Sequence, residues 1–432
     1  MTVESPADVP GRSRVILILL ALALALRIGW AVTRPVNDAA IDALPDQREY
    51  LSLAQNLLHG GGLQFIDPRF NEAVKAFRTP GYPMMVAACG ASVRAVRIVQ
   101  ALLDVSTVLA IYLLARRLIG GRFAPLLAAG IVAVNPYLIY FTGLLLSETL
   151  FTAMLAWAMV LLVIGRGGRG PWLATVLWLA GGLLLSLSVL VRHSAVALPV
   201  LLGLLSVFLN TASEVSYKQL SLSAEDSYTK GVWRLPPGLT MVMLTLLSLL
   251  PWVVRNRVVL GHWIWLDTNS GFTLCDGYNP DATGASDQSF VHRMPELQAL
   301  DEVGRDEHLK QEAIDYARTH PERAVMLAGA KLARTWSPVP LSREYGRPAL
   351  RLLAMAYSVP FDALVLIGLL WGRLRRSAKV FLITPAIYFS IIHMLTVGSL
   401  RYRIPIEPPL AVVAAGLVGA GGAASWRRAL SA

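Results

Sequence analysis

Residues Ala43 to Pro83 read ALPDQREYLSLAQNLLHGGGLQFIDPRFNEAVKAFRTPGYP. Two acids, Asp46 and Glu49, open a stretch in which Tyr50, Leu53, Ala54, Leu57 and Leu58 share one face at helical spacing, and Gly60, Gly61 and Gly62 stop it. An amphipathic helix of this kind lies along a membrane surface instead of crossing it. A basic–aromatic–proline elbow follows, Arg78-Thr79-Pro80-Gly81-Tyr82-Pro83, in which two prolines and a glycine fix a rigid turn. Long apolar runs flank the stretch on both sides. It therefore reads as an interfacial loop between the first two membrane spans.

The composition agrees. Of 432 residues, 55% are hydrophobic and only 16% charged, and the mean hydropathy is +0.54. Apolar runs of about 20 residues are long enough to cross a bilayer as helices. The net charge of +11 is explained by Lys and Arg at the cytoplasmic ends of such helices. No basic–aromatic module for nucleic acid is present. The two cysteines, Cys89 and Cys275, have no metal-ligand spacing. A disulfide between them is permitted, because both fall on the expected external side, but two unrelated thiols are the simpler reading. Arg12 and Arg14 precede the first apolar run without a clean small-x-small cleavage site, so that run reads as an uncleaved anchor.

The fold class expected is an all-α polytopic membrane protein of about ten helices. They span roughly Arg14–Thr33, Val96–Ala115, Phe123–Tyr140, Leu144 to the residues before Arg166, Trp172–Val191, Ser194–Leu209, Pro237–Val254, Leu350–Trp371, Val380–Val397, and a last helix between RYRIPIEPP and Trp426. Residues 1–257 hold seven helices and the first external loop, 34–83. Residues 258–346 form a small external domain of α/β character, opening with strand-like WIWL. Residues 347–432 hold the last three helices. The apolar stretch Gly81–Ser92 is too short to span and reads as interfacial or re-entrant. With the N-terminus in the cytoplasm, each short inside segment is basic and, apart from Glu4 and Asp8 in the N-terminal tail, none contains Asp or Glu: Arg12/Arg14, Arg116/Arg117/Arg122, Arg166/Arg169, Arg373 to Lys379, and Arg427/Arg428. A polar linker, 210–234, falls on the same side. This orientation puts the 34–83 loop, the Arg192-His193 corner and the 258–346 domain outside the cytoplasm, in the plasma (inner) membrane.

Several residues on that side could carry chemistry, and each has a plainer role. Asp46 and Glu49 have the spacing of a helix capping box. Yet Asp38, Asp42, Asp46 and Glu49 fall at the level of Arg78, Arg192 and Arg255. Carboxylates facing arginines suit a base-activated acceptor and an anionic leaving group. Glu148, at the outer mouth of the fourth span, is either functional or a solvated helix start. Arg192-His193 joins two helices without a loop and could hold a phosphate, or simply meet water. Arg401-Tyr402-Arg403 runs against the positive-inside trend and needs an anionic ligand or partner carboxylates. Arg27, inside the first span, reads as a snorkelling side chain.

Taken in order, these motifs resemble the GT-C membrane glycosyltransferases. Within them they are closest to the glycosyltransferase family 39-like group of protein O-mannosyltransferases and aminoarabinose lipid A transferases. The resemblance rests on Asp46-x-x-x-Tyr50 and the following Leu-Ala-x-Asn-Leu, Arg78-Thr-Pro-Gly-Tyr-Pro83, Ser147-Glu148, Pro251-Trp252-x-x-Arg255-Asn256, Asn269-x-Gly271 with Gly277-Tyr278-Asn279-Pro280, and Arg401-Tyr402-Arg403-x-Pro405. It implies an inverting transfer of a sugar from a polyprenyl-phosphate-linked donor to a glycan, lipid or protein acceptor outside the cytoplasm. Asp46 would be the general base and Glu148 a second catalytic acid residue. Arg78, Arg192, Arg255 and Arg401, with Tyr50 and Tyr82, would bind substrate. Phe77 stands where some lipid A transferases have an acid beside a metal, so neither metal nor other cofactor is expected. The competing readings are a lipid-linked glycan transporter or flippase, which needs polar residues along its spans, and a non-catalytic polyprenyl-phosphate binder.

Overall fold

The computed structural model describes residues 10–166, 170–209, 236–341 and 348–418. Residues 1–9, Arg169, the linker 210–234 and the basic pair Arg427/Arg428 lie outside these residues. After α1 (Pro10–Thr33), the first loop folds as α2 (Asp38–Asp42), α3 (Pro45–Leu58), a hairpin of β1 (Phe65–Asp67) and β2 (Glu72–Val74), and α4 (Gly81–Ala88). Next come α5 (Val93–Leu118), α6 (Phe123–Ala133), α7 (Pro136–Thr142), α8 (Glu148–Arg166), α9 (Pro171–Val189) and α10 (Leu198–Val207). The remainder is α11 (Pro237–Leu260), α12 (Ser270–Gly277), α13 (Glu302–Thr319), α14 (Pro321–Thr335), α15 (Pro348–Trp371), α16 (Arg376–Leu395) and α17 (Glu407–Ala415).

The chain is an integral membrane protein with multiple spans. Among the described residues, seven helices are long and apolar enough to cross a bilayer: α1, α5, α8, α9, α11, α15 and α16. The pair α6 and α7, bent by 50°, adds an eighth if counted as one span. Two of the ten expected spans are described as shorter helices. The sixth is one turn, His193–Ala195, and then α10, because Pro199 sits in the first turn of a restarted helix. The tenth is described only to Val418, as α17 and one further turn after Pro405, Pro408 and Pro409 at its beginning, and its expected remainder lies outside the described residues. Where α8 packs on α9, glycines set the spacing: a Cβ on Gly165 would lie 2.6 Å from the Trp178 nitrogen.

The bend between α6 and α7 follows from Asn135-Pro136. Pro136 has no N–H to continue α6, and the Asn135 side chain accepts the backbone N–H of Tyr137 and Leu138 instead. The break frees carbonyls inside the membrane, and Arg27 meets them. Its guanidinium donates to the carbonyls of Ala133 (2.8 Å), Val132 (3.1 Å) and Ala23 (3.2 Å), and to the Asp104 carboxylate at 2.5 Å. Arg27 and Asp104 are both fully buried. Arg27 therefore does not snorkel; its partner is on α5, and together they close the ladder that Pro136 opens. A second buried ionic group ties α7, α15 and α17: Arg403 donates to Glu407 (2.9 Å) and Ser358 (3.0 Å), and Asn135 donates to Glu407 (2.6 Å).

Above the helices, the first loop and the segment after residue 258 share one apolar core. Leu53, Phe65, Val74 and Phe77 pack with Phe272, Cys275, Tyr278, Leu309 and Leu327. The Glu302 carboxylate fastens the two by accepting the backbone N–H of Lys75 (2.6 Å) and Ala76 (2.7 Å) and the Thr268 hydroxyl (2.6 Å). The expected α/β character of 258–346 is not found. Its described residues form helices and turns without a strand, and the Trp263–Leu266 stretch, with Trp263 and Trp265 exposed, has no partner to pair with. The two strands, paired antiparallel with Phe65 opposite Val74, belong to the first loop. Cys89 and Cys275 are free thiols.

Candidate active site

The elements just described meet over the ends of α8, α9 and α16. The elbow at Gly81 docks on the end of α9: its N–H donates to the Leu190 carbonyl at 2.8 Å, and any Cβ there would sit 2.8 Å from the same oxygen. This contact fixes the elbow that carries Arg78 to the end of α9, two residues before Arg192. From the other side the 400–402 turn, held by the Ser399 side chain on the Arg401 N–H, brings in Arg401.

The result is six charges of alternating sign in a row. Arg78 donates through Nε to Glu49 (2.7 Å) and through Nη2 to Asp46 (2.6 Å). The other oxygen of Asp46 accepts Arg401 Nη1 at 2.8 Å. Arg401 Nε reaches Glu148 at 2.6 Å, and Arg192 approaches the same Glu148 oxygen at 3.2 Å without a hydrogen bond to it. The order is Glu49, Arg78, Asp46, Arg401, Glu148, Arg192, anionic at one end and cationic at the other. The row is neutral as a whole, yet Arg192 Nη1 and Glu148 Oε2 are buried without hydrogen-bond partners. Groups of this kind are costly unless something completes them.

Asp46 is not a helix cap. The residue before α3 is Leu44, Pro45 takes the first position, and no side chain caps the helix. The Asp46 carboxylate points away to its arginines. Burial pushes its pKa up, but the charges of Arg78 and Arg401 outweigh that and hold it below the usual carboxylate range. For its neighbour Glu49 burial wins over Arg78, and the pKa is raised. Arg78 and Arg401 lose from burial but gain more from the carboxylates around them, so both hold their protons more tightly than a free guanidinium.

A cavity of about 1370 Å³ lies over this row, larger than a typical drug-sized pocket. It takes Asp46, Glu49, Tyr50, Arg78, Arg192 and Arg401 into its wall. At one end the wall is apolar, with Leu26 and Trp30 of α1, Val134 and Tyr140 beside and on α7, and Leu353 of α15. Leu26, Val134 and Leu353 are also exposed on the outside, so this end opens between the helices. The other end is polar, with Asn269, Ser270, Thr273, Asp276 and Ser286.

Three expected site residues are placed differently. Glu148 is fully buried beneath Arg401 and does not line the cavity; it positions guanidinium groups. Tyr82 is also fully buried, its hydroxyl donating to Gln100 at 2.7 Å, and it supports Tyr50 ring against ring at 4.7 Å. Arg255 turns away from the cavity and donates to the carbonyls of Lys75 (2.6 Å) and Leu63 (2.9 Å), because those loop carbonyls are what its helix faces. Asp267 was not singled out in the sequence, and Glu49, His193 and Tyr402 were named there without a role of their own; all four line the cavity. Glu49 was visible as the second acid of the supposed cap. Tyr402 adjoins Arg401 and lies under Arg192, 5.3 Å from ring to guanidinium. His193 and Asp267 are partners at 2.5 Å, 74 positions apart, and nothing in the sequence joins them.

Comparison with known proteins adds three findings. Residues 83–217 match the dolichyl-phosphate-mannose-protein mannosyltransferase family. The fold is shared with the Archaeoglobus fulgidus oligosaccharyltransferase, in the apo form at a TM-score of 0.58 and 14% identity over 99% of this chain. The same enzyme in complex with an inhibitory peptide and a dolichol-phosphate gives 0.53 and 14% over 98%. In both cases the chain spans 52% of the oligosaccharyltransferase's length. ArnT from Cupriavidus metallidurans, bound to undecaprenyl phosphate, is matched at 14% identity over 94% of this chain and 77% of its own, with a TM-score of only 0.40. No curated protein matches by sequence. The fold is therefore shared with that oligosaccharyltransferase, and the mannosyltransferase match falls on the segment that carries Glu148 and Arg192.

Proposed function

We propose that this chain is an inverting glycosyltransferase. It moves a sugar from a polyprenyl-phosphate-linked donor to a glycan, lipid or protein acceptor, from the plasma membrane and on its non-cytoplasmic face. The observation that carries the reading is the alternating row of charges at the foot of a cavity with one apolar and one polar end. The family match over 83–217 supports it. The orientation is supported by Arg116, Arg117, Arg166, Arg376 and Lys379, which sit at the ends of α5, α8 and α16 away from the cavity.

The polarity of the row assigns the parts. The donor phosphate, a singly charged diester, enters at the cationic end, where Arg192 Nη1 is unpartnered and Arg401 is within reach. The isoprenoid tail takes the apolar end between α1, α7 and α15. Competition from the phosphate loosens Arg401 from Asp46. With one guanidinium gone, the balance at Asp46 shifts toward burial, and its carboxylate becomes a stronger base. It then removes the proton of an acceptor hydroxyl, whose oxygen attacks the sugar's anomeric carbon from the face opposite the phosphate. Donor binding thus arms the base, which a free carboxylate held by two arginines would not be. The arginines also stabilise the charge that develops on the departing phosphate, commonly the largest single catalytic contribution.

The test is turnover of a panel of polyprenyl-phosphate sugars by the purified chain in lipid, compared with a folded Asp46→Asn variant. The wild type is expected to release polyprenyl phosphate. The variant should bind donor and turn over about 10²–10⁴-fold more slowly. Equal turnover by both proteins would remove Asp46 from the mechanism, and failure of every donor to bind would leave the transporter reading.

A further inference from the structure

The cationic end of the row does not stop at Arg192. The next residue, His193, lines the same cavity, and its Nδ1 is 2.5 Å from the Asp267 carboxylate. Asp267 is 6% exposed and is itself fixed, its other oxygen accepting the Asn269 N–H at 3.2 Å. A carboxylate on Nδ1 sets the ring's orientation and leaves Nε2 as the ring nitrogen available to a ligand. His193 is a third exposed, so this nitrogen is not sealed in. Charged and titratable groups face the ring from several elements. Asp267 faces it from the stretch before α12, Arg192 precedes it, and His393 of α16 with Arg401 and Tyr402 of the following turn lie across the cavity wall. Asp267 is the carboxylate in contact with it; the remaining charges nearby are arginines.

We propose that His193, held by Asp267, is the proton donor to the departing phosphate, a role that rests on the glycosyltransferase reading of this cavity. The step balances. The bond between the anomeric carbon and the phosphate oxygen breaks, its electron pair stays on that oxygen, and the oxygen takes the proton from His193 Nε2. The acceptor oxygen forms the new bond to carbon, and its own proton goes to Asp46. The polyprenyl phosphate leaves as a monoanion, and a proton returned through solvent from Asp46 to His193 restores the resting state. In this scheme the acid stands at the Arg192 end of the row and the base within it, between Arg78 and Arg401, and the sugar is transferred between them. Because a phosphate monoester with a second pKa near 6 leaves readily even without help, the acid contributes roughly ten- to hundredfold, the low part of the range for such groups.

The complex of enzyme and phosphate product then carries one proton, shared by Nε2 and the phosphate. Its affinity for a prenyl phosphate must fall as pH rises, by up to about tenfold per pH unit where one proton is required. The experiment uses farnesyl phosphate as probe, with the full chain in lipid nanodiscs, and measures Kd from pH 6 to 9 for wild type, His193→Gln and Asp267→Asn. Wild type is expected to lose affinity by at least tenfold over the range. His193→Gln should bind with less than about threefold change. Asp267→Asn, which removes the carboxylate that orients the ring, should weaken the wild-type pH dependence. If His193→Gln retains the wild-type pH dependence, or Asp267→Asn leaves it unmoved, His193 is not the donor, while the phosphate site stands. If wild type binds no farnesyl phosphate at any pH, the phosphate site falls and the proton donor with it.

Discussion

Two groups of buried charges in this chain look alike in sequence and differ in what they are attached to. Arg27 and Asp104 form a set turned inward: the guanidinium ends on the Asp104 carboxylate, on the Ala23 carbonyl of its own helix and on two carbonyls at the break before Pro136, and Asp104 Oδ1 alone is left without a partner. The row from Glu49 to Arg192 is open. It faces a cavity, it ends in unlike charges, and it keeps an unpartnered nitrogen on Arg192 and an unpartnered oxygen on Glu148. A structural ion pair uses most of its hydrogen-bonding capacity within the protein. A binding site holds some back where a ligand can reach it, and it is the cavity beside the row, absent at Arg27 and Asp104, that separates the two groups here.

The sharpest test of the inward-turned set is to break it. Arg27→Met strands Asp104 in the membrane interior and should cost about 3–5 kcal/mol, read as loss of folded protein on thermal melting in lipid. Adding Asp104→Leu should recover much of that loss; if it does not, the pair has a role besides closure. Next in size is the open row. Arg401→Ala frees both Asp46 and Glu148, and turnover should drop about 10²–10³-fold with the melting temperature changed far less than for Arg27→Met. A variant that unfolds instead would place Arg401 with the structural ions. Arg255→Gln should invert that pattern. Two hydrogen bonds from a charged group to loop carbonyls are lost, costing roughly 1.5–3 kcal/mol each at most, while turnover of the remaining folded protein stays within about twofold. A large fall in turnover with unchanged stability would return Arg255 to the site.

The smallest effect concerns pH. The Asp46 pKa is lowered in the folded chain, so its ionised form contributes stability above the unfolded carboxylate value, near 3.9, and that contribution is lost as pH falls toward the lowered value. The gap in melting temperature between wild type and Asp46→Asn should therefore be constant from about pH 5 to 8 and narrow below about pH 4. A gap that persists to about pH 3 would mean that the amide side chain perturbs packing and not charge.

Much of the membrane architecture could be read from the chain, because long apolar runs with basic ends have few alternative structures. Among the described residues, two stretches that read as continuous spans are broken or restarted by proline, at Pro136 and Pro199. The apolar composition of these stretches is the same whether the helix is continuous or not. In the site, Asp46, Arg78, Arg192 and Arg401 were marked by local motifs, and the structure brings them together. Direction was not legible. The Arg255 motif specifies a helix end but not which way its side chain turns, and Glu148 reads as a mouth residue although it is covered by Arg401. Pairings across long stretches of chain, Arg27 with Asp104 and His193 with Asp267, depend on packing that no spacing rule encodes. The WIWL stretch shows the converse: strand propensity without a neighbouring strand to pair with gives no strand.

Glu302 holds the first loop and the segment after residue 258 together by three hydrogen bonds, over a common apolar core. A roof built as one piece does not lift as a flap, so the lipid-linked donor proposed above would reach the cavity sideways, beside Leu26, Val134 and Leu353. Its supply would then be a search in two dimensions. The rate would follow how crowded the leaflet is with that lipid, not how much of it is in the tube, and diluting the bilayer with inert detergent or phospholipid would slow turnover as an inhibitor does.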